Sequence, residues 1–530
     1  MNTPSSLFGA LLAGVLCVPV LASPSDFGAN LANLTPSRLL TNDRGQNRHW
    51  SGVGRVRNET NTLCTASLLD TRNGEGNATG PAYIITSSHC IHRTNEFVHK
   101  DMPLKGSISF NYFDDTLATL KTYPLKTLKW SSSQGVDLAI IELDSALATL
   151  IDNGITPLKL AEEAPADGSD ILALSAPAWD TLRLSACTQQ ASAEIVEQPY
   201  VWRVTMKNQC QGIAPGSFGG PLLNRQSNEI FGILGTSTRG SNADKKCQRD
   251  APCEVKNGIA TRHADSNYGS PVTFLRSCFV EGVLHSNSDT CDLYPTTVIG
   301  FKNPQPIKQY YVTANKGSKS IIPTWDLRFT INTPFYRYKT TRRAIDCENP
   351  ALYSAPVAAE DAYINDPIGP QTGMHMLCVV GVESAEQPVT PGMMKNALTL
   401  AVELAEPGPA RTPDVSISLD KEGLQAYTVK WKMAPPFMSR YTYKMGPAHS
   451  TDCLRPVGYL AIPLPRPEPE DDDEGEDIYH HPLEDQAITP ADDDFIQIVS
   501  TNTHPIKICT YAYDQADQPS TLRVDILKPR

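Results

Sequence analysis

The sequence predicts an all-β protein in which a barrel domain precedes two β-sandwich domains. Three observations predict this fold class: short apolar strands that alternate with polar turns, 42 prolines with few long helical patterns, and an internal repeat in the C-terminal part. At 530 residues the chain exceeds what one hydrophobic core organises. Several domains are therefore expected.

The first 22 residues have the pattern of a secretory signal peptide. An apolar stretch from Leu7 to Leu21 is followed by Ala22, a small residue of the kind that signal peptidase prefers. Residues 23–48 show little periodicity and are interpreted as an N-terminal arm. No later segment has eighteen consecutive apolar residues, so no membrane span is predicted. The expected location is the periplasm or the cell exterior.

Cysteine usage agrees with export. Once Cys17 is removed with the signal peptide, the remaining cysteines occur in sequential pairs, as expected for disulfides formed in an oxidising compartment. A zinc site is the alternative, but no Cys-x-x-Cys occurs and the cysteines are spread over every domain. We therefore expect disulfides, no metal and no cofactor. The residues are Cys64, Cys90, Cys187, Cys210, Cys247, Cys253, Cys278, Cys291, Cys347, Cys378, Cys453 and Cys509.

Residues 49–291 have the strand pattern of a β-barrel domain. Apolar runs separated by polar turns predict strands at Tyr83–Thr86, Leu138–Ile141 and Ile230–Leu234. The segment Ser270–Phe279 predicts a short closing helix, because a proline lies near its start.

Residues 292–407 and 408–530 form an internal repeat. In each copy a Tyr-Lys pair precedes one cysteine, and a second cysteine is followed by a proline ten residues later. Matched cysteines at matched strand signals predict one disulfide in each of two similar β-sandwiches, of immunoglobulin-like or fibronectin-like type. The matched positions are Tyr338, Lys339, Cys347, Cys378 and Pro388 in the first copy, and Tyr443, Lys444, Cys453, Cys509 and Pro519 in the second.

The formal net charge of −12 comes from one insertion in the second repeat. Residues 468–494 hold 13 acidic residues and no Lys or Arg, so the rest of the chain is close to neutral. No basic face for nucleic acid is predicted. The acidic run lacks the alternating spacing of a loop that wraps calcium, and we interpret it as a solvated loop.

Three segments carry the residues of nucleophilic catalysis in a fixed order. Ser88-His89-Cys90 comes first, Asp137 opens the apolar run Val136–Ile141, and Gly216-Ser217-Phe218-Gly219-Gly220-Pro221 comes last. Together they resemble the chymotrypsin-like (trypsin-like) serine proteases, in particular the bacterial branch, over residues 50–290. The resemblance implies a double β-barrel, a Cys64–Cys90 disulfide, His89 as general base and Asp137 as the carboxylate that orients it. It also implies a protein or peptide as substrate or ligand.

The third segment departs from the family's Gly-x-Ser-Gly-Gly-Pro. Phe218 stands directly before the glycine pair, and Ser217 lies one place too early. If Ser217 were the nucleophile, the second oxyanion donor would fall on Pro215, which has no N–H. If Phe218 holds the nucleophile position, that donor falls on Gly216. We therefore predict that Phe218 occupies the nucleophile position and that catalysis is lost or impaired.

The resemblance also implies an open, polar specificity pocket, with Gly235, Thr236 and Ser237 along its wall. Its floor falls on Gly212 if Phe218 holds the nucleophile position, or on Gln211 if Ser217 does. The leading hypothesis is an exported serine-protease-like protein whose cleft still binds peptide.

Two alternatives stay open. One is an active secreted endopeptidase that uses Ser217 with His89 and Asp137. The other is an adhesion or scaffold protein whose β-sandwich repeats bind a surface or a protein ligand, since a fold alone does not define a function.

Overall fold

The computed structural model describes residues 25–92, 98–241, 246–286, 291, 293, 297–301, 310–312, 314–316, 319–395, 397–405, 410, 412–419, 426–432, 440–462, 495–501, 504–513 and 517–529. The predicted signal peptide and the acidic insertion lie outside these residues. Strands dominate, and the two described α-helices are short: Leu147–Asp152 and Pro391–Lys395. Among the described residues, no helix is long and apolar enough to cross a membrane. Short 3₁₀ helices occupy Arg48–Trp50, Ser88–Cys90, Leu117–Thr119, Thr273–Cys278 and Ala344–Glu348.

The first barrel is a closed ring of six antiparallel strands. Its long strand Lys121–Ser132 closes the ring by pairing with Gly106–Phe110 on one side and with Leu138–Ala146 on the other. A seventh strand, His99–Pro103, is attached at the edge of the long strand. The interior is filled by alternating apolar side chains such as Ala66, Ile108 and Ile141. The remaining ring strands are Val53–Asn58, Leu63–Leu68 and Pro81–Thr86.

The second barrel also closes. Arg183–Thr188 and Gln190–Glu197 are separated by Gln189 alone and act as one long strand. With that strand counted once, the pairings run through six strands and return to the first. The other five barrel strands are Asp170–Ser175, Tyr200–Asn208, Pro221–Asn224, Ile230–Ser237 and Asn267–Pro271. The sheet is extended by short strands at Arg38–Leu39, Gln134–Gly135, Cys253–Lys256 and Ile259–Thr261. A separate two-stranded sheet pairs Phe279–Val280 with Val283–Leu284.

The described part of the N-terminal arm packs on the second barrel: Arg38–Leu39 pairs with Leu184 and Arg183, and Leu31 and Leu40 are buried. Burial of these two leucines, rather than any periodicity, holds the arm on the second barrel.

The predicted closing helix is shorter and tighter than expected. Ser270 and Pro271 end a strand that pairs with Ile233 and Gly232, and only Thr273–Cys278 is helical, in 3₁₀ form. A strand partner distant in the sequence therefore overrides the local helix signal of the proline.

The two C-terminal sandwiches pair corresponding strands in the same order. Each has a three-stranded sheet packed against a second sheet of at least four strands. In the first copy, the three-stranded sheet pairs Ile299–Phe301, Leu327–Ile331 and Tyr363–Ile364. The larger sheet has the order Val357–Ala358, Phe335–Thr341, Gly373–Val382, Leu398–Ala405 and Tyr310–Val312. A hairpin of Ala314–Lys316 and Lys319–Ile321 belongs to the same copy. The second copy pairs Val415–Leu419, Ala426–Trp431 and Phe495–Ser500, and Leu460–Ala461, Arg440–Pro447, Ile506–Tyr513 and Arg523–Leu527.

A lysine clamp recurs in both sandwiches. In each, the lysine lies opposite the second cysteine across the sheet, and its Nζ donates to two carbonyls close in sequence to the first cysteine. A nearby tyrosine hydroxyl donates to the carbonyl of that first cysteine. In the first copy, Lys339 Nζ donates to the carbonyls of Asn349 and Ala351 at 2.6 and 3.1 Å, and the Tyr353 hydroxyl donates to the Cys347 carbonyl at 2.7 Å. In the second copy, Lys444 Nζ donates to the carbonyls of Asp452 and Arg455 at 2.9 and 3.0 Å, and the Tyr459 hydroxyl donates to the Cys453 carbonyl at 2.7 Å.

Six disulfides join the described cysteines in sequential pairs, as predicted. Such a set is typical of a protein that folds in an oxidising compartment, the periplasm or the cell exterior. The pairs are Cys64–Cys90, Cys187–Cys210, Cys247–Cys253, Cys278–Cys291, Cys347–Cys378 and Cys453–Cys509.

Candidate functional site

The candidate site lies where the two barrels meet. One core cluster contains residues of both barrels, including Trp130 and Ile140 from the first and Leu174 and Ile233 from the second. His89 and the segment that carries Asp137 come from the first barrel, whereas residues 216–220 come from the second. The site therefore exists only when both barrels are folded and packed.

His89 and Asp137 form a close pair. His89 Nδ1 lies 2.8 Å from Asp137 Oδ2, and the backbone N–H of His89 donates to Asp137 Oδ1 at 3.1 Å. The carboxylate side chain is fully buried and the imidazole is 18% exposed. Ser270 Oγ accepts a hydrogen bond from the Asp137 N–H at 2.9 Å. The predicted proximity is confirmed, and with Nδ1 bound, Nε2 is the ring atom placed to act as a base.

The Cys64–Cys90 disulfide fixes the histidine loop on the first barrel. His89 lies in the 3₁₀ turn Ser88–Cys90 that directly follows strand Pro81–Thr86. The disulfide ties this turn to the strand Leu63–Leu68, where Cys64 is buried. The imidazole is therefore held by a covalent link on one side and by the Asp137 carboxylate on the other.

Phe218 is the side chain that residues 216–221, the predicted nucleophile loop, place against the imidazole. Its ring contacts His89 edge to face, with ring centroids 5.4 Å apart and an interplanar angle of 68°. The ring is half-buried and packs against the interior clusters of both barrels. The position beside His89 therefore holds an aromatic ring.

Ser217 is used inside its own loop. Its side chain is fully buried, and its Oγ accepts a hydrogen bond from the Ala214 N–H at 3.2 Å. Its backbone N–H donates to the Ala214 carbonyl at 2.9 Å. The hydroxyl thus caps the turn of residues 214–217, an arrangement that agrees with Phe218, rather than Ser217, in the position next to His89.

Three hydrogen bonds hold the loop with Phe218 in this position. Thr65 N–H donates to the Phe218 carbonyl at 2.9 Å, and Thr65 Oγ1 donates to the Gly216 carbonyl at 2.8 Å. On the other side, the Gly219 N–H donates to the Leu234 carbonyl at 2.7 Å. Sliding the loop by one residue would break all three bonds.

The loop also retains two candidate oxyanion donors. Neither the Gly216 N–H nor the Phe218 N–H donates to an acceptor in the part of the chain that the structure describes. Gly216 has φ of +93°, and a Cβ there would lie 2.4 Å from Ala178 N, so only glycine fits. These two N–H groups are the oxyanion donors expected if Phe218 holds the nucleophile position.

A rigid turn displays Trp179 next to this loop. Ala178 N–H donates to the Pro215 carbonyl at 2.8 Å, and Arg55 binds the carbonyls of Pro177 and Asp180 at 2.5 and 2.8 Å. Trp179 itself is 72% exposed, whereas the other five tryptophans of the chain are almost fully buried. Tryptophan is enriched among the residues that dominate binding at protein interfaces. Nothing in the local sequence distinguishes Trp179 from the others.

The predicted pocket residues have partners within the protein. A Cβ on Gly235 would lie 3.2 Å from Asp137 Oδ2, so this glycine lets the strand approach the carboxylate. Ser237 is buried and donates to Asn267 Oδ1 at 2.8 Å, and Thr236 is also buried. Gly212 is exposed and faces the Ser37 hydroxyl of the N-terminal arm. Their role in a specificity pocket stays a prediction.

Glu197 was not singled out by sequence reasoning. It ends a strand, is only 6% exposed, and accepts a hydrogen bond from the Asp250 N–H at 2.9 Å. Burial raises the pKa of Glu197 to about 7, although the Thr236 hydroxyl, the Asp250 N–H and the His89 ring act in the opposite direction. A carboxyl that titrates near neutrality thus lies behind the predicted pocket wall.

The described residues contain one group of three potential metal ligands, Cys64, His89 and Cys90, with ligand atoms within 4.8 Å of one another. The two sulfurs are bonded to each other, so neither is the thiolate that a metal requires. This group does not fit a metal ion.

Comparison with protein families gives the same assignment. Residues 68–233 match the family described as the trypsin-like peptidase domain. The chain contains a trypsin-like peptidase domain. The matched segment includes both members of the His89–Asp137 pair and the whole nucleophile loop. No curated protein matches the chain in sequence.

Several solved structures are similar to the trypsin-like domain at low identity. The inactive form of the Rv3671c protease of M. tuberculosis is 15% identical, with 46% of this chain and 94% of that chain covered and a TM-score of 0.29. Human heparin binding protein is 14% identical (45% and 92% covered, TM-score 0.28). The thermostable serine protease AL20 from an extremophilic microorganism is 12% identical (42% and 92% covered, TM-score 0.28).

Proposed function

We propose that this protein is an exported, trypsin-like polypeptide-binding protein whose own peptidase activity is lost or strongly impaired. The observation that carries the proposal is the Phe218 ring in contact with His89, beside an otherwise complete His–Asp pair. The His89 imidazole and the two backbone N–H donors can interact with a bound peptide, while the buried Asp137 carboxylate holds the imidazole in place. The hydroxyl that would attack it is absent from the position next to the base.

The position of Ser217 supports the loss of catalysis. A nucleophilic serine must donate its proton to the histidine, yet the Ser217 hydroxyl is fully buried and accepts from the Ala214 N–H. Turning it toward His89 would break that bond and displace the Phe218 ring. The exported location is supported by the six disulfides and by the signal-peptide pattern of residues 1–22.

The cleavage test compares wild type, Phe218→Ser and Ser217→Ala on casein and with a fluorophosphonate probe. Wild type should show no labelling, and Ser217→Ala should not change this. Phe218→Ser places a hydroxyl beside His89 and should raise cleavage by roughly 10²–10⁴-fold, the range for one positioned general base. It should also cost on the order of 2–3 kcal/mol of stability, because a half-buried ring is lost.

The matched control is the double variant Phe218→Ser/His89→Ala, which retains the new hydroxyl without its base and should lose the gained activity. Strong wild-type cleavage that Ser217→Ala abolishes would refute the proposal and favour the active endopeptidase.

Binding without cleavage is measured through Trp179. Because it is the exposed tryptophan of the chain, iodide quenches its fluorescence selectively. Pools of Trp-free decapeptides should protect wild type from quenching, and a Trp179→Phe variant should lose the protectable signal. Pools that leave the quenching unchanged at millimolar concentration would contradict a peptide-binding cleft.

A further inference from the structure

Arg203 is a buried cation of the second barrel whose partners come from the first sandwich. It lies in strand Tyr200–Asn208 and its side chain is 1% exposed. The Glu348 carboxylate lies 3.6 Å from its Nη1. Its guanidinium also donates, at 3.0–3.1 Å, to three carbonyls at the end of a sandwich helix: Met394, Lys395 and Ala397.

The same guanidinium also contacts the chain just before Asp137. Gly135 has φ of +70°, and a Cβ there would lie 2.1 Å from Arg203 Nη2. The segment Gln134–Gly135 pairs in parallel with Val201–Trp202, next to Arg203. Only a glycine permits this approach, because any side chain would occupy the place of the guanidinium. Arg203 is therefore held between the sandwich and the segment that leads into Asp137.

We propose that Arg203 is a positioning residue through which the first sandwich places Asp137 on His89. The sandwich carbonyls fix the guanidinium, the guanidinium fixes Gly135, and Asp137 follows two residues later. A buried guanidinium is immobile when its donors are bound to backbone. Without it, three carbonyls lose their donor and residues 134–136 lose the surface that sets their path. The proposal concerns the pair itself and holds whether or not the cleft cleaves peptides.

The test measures the hydrogen bond between His89 and Asp137 directly in the full-length mature protein. The proton on a histidine Nδ1 bound to a buried carboxylate gives a far-downfield proton NMR signal, which His89→Gln would assign by its loss. Arg203→Met replaces the guanidinium by a side chain of similar length. The downfield signal should disappear or lose most of its intensity, at a temperature at which circular dichroism shows the variant folded.

The matched control is Arg225→Met in the same barrel. Arg225 also binds backbone carbonyls, those of Gly28 and Leu31 at 2.9 and 3.1 Å, but these belong to the N-terminal arm. This variant loses comparable hydrogen bonds and should keep the downfield signal at full intensity. A general loss of stability would weaken the signal in both variants alike.

Two further variants test the positioning role of Arg203 if Arg203→Met does not fold. Gly135→Ala pushes on the guanidinium from the barrel side while leaving its donors present, and it should also weaken the signal. Arg203→Lys retains the charge and one donor group and should restore part of it. A folded Gly135→Ala or Arg203→Met protein with an undiminished signal would overturn the proposal.

Discussion

At the scale of single residues, the environment of His89 depends on one aromatic ring. Phe218 contributes apolar contact to the cores of both barrels and contacts the imidazole. Its neighbour Ser217 contributes a hydrogen bond to the turn. Each residue therefore has a stabilising role in its observed position, and exchanging their roles would cost both contacts. Both contacts stabilise the observed conformation of the loop, with Phe218 beside the imidazole.

Glu197 predicts a specific pH dependence of stability. Because burial raises its pKa from 4.5 to about 7, the folded protein holds this proton more tightly than the unfolded chain does. The free energy of unfolding should therefore fall as the pH rises from 4.5 to 7, by at most about 3 kcal/mol, and stay level above 7. Glu197→Gln should remove this fall. Urea unfolding at pH 5 and pH 8 measures it.

The control for this prediction is Glu162→Gln, which replaces an exposed carboxylate and should leave the pH dependence of wild type intact. Equal pH slopes for wild type and Glu197→Gln would show that Glu197 is not the titrating group.

At the scale of elements, the lysine clamps show how each sandwich organises the chain around its first cysteine. A single Nζ satisfies two carbonyls, and the tyrosine hydroxyl satisfies a third. This part of the chain thus has its backbone acceptors filled without strand pairing. The clamp also explains why a Tyr-Lys pair marks each copy in the sequence: its lysine faces the second cysteine across the sheet.

The two clamps should differ in strength. Lys339 is buried, at 7% exposure, whereas the bonds of Lys444 lie in an exposed setting. Lys339→Met should lower stability by about 2–3 kcal/mol, since bonds from a charged donor are lost in a buried site, and Lys444→Met by about 1 kcal/mol or less. Hydrogen exchange of the loop amides after Cys347 and Cys453 reports each clamp separately. Equal acceleration in both loops would contradict the role assigned to burial.

At the scale of the whole molecule, the second barrel and the first sandwich share one apolar cluster. Val196, Val201 and Val255 of the barrel pack with Met374 and Met376 of the sandwich. Hydrogen bonds reinforce the contact, among them the Met374 N–H to the Gly258 carbonyl at 2.7 Å. The second sandwich has a core of its own residues instead. We therefore expect the barrels and the first sandwich to unfold together.

This predicts unequal effects of truncation. A chain that ends at residue 407 should unfold at the same temperature as the barrel transition of the full protein. A chain that ends at residue 291 exposes the three valines and should lose on the order of 5 kcal/mol or aggregate. Differential scanning calorimetry of both chains tests this. A 291-residue chain as stable as the longer one would show that the shared cluster contributes little.

The sequence by itself determined the fold class, the order of disulfide pairing and the residues around the candidate site. These features depend on local strand patterns, on cysteines that pair with the next one along the chain, and on motifs a few residues long. The same local spacing identified Phe218 as the residue before the glycine pair. The disulfide within each sandwich was also predictable, because both repeats contain two cysteines at matched positions.

Only the tertiary structure decided which way Ser217 points, that the arm belongs to the second barrel, and that Arg203 joins a sandwich to the Asp137 segment. Each depends on partners far away in the chain, such as residues 203 and 394, and no periodicity encodes them. The elevated pKa of Glu197 has the same origin, because burial behind Thr236 is a property of the assembled barrel. Local patterns specify strands and motifs, whereas the surroundings of a polar side chain are specified only when distant strands meet.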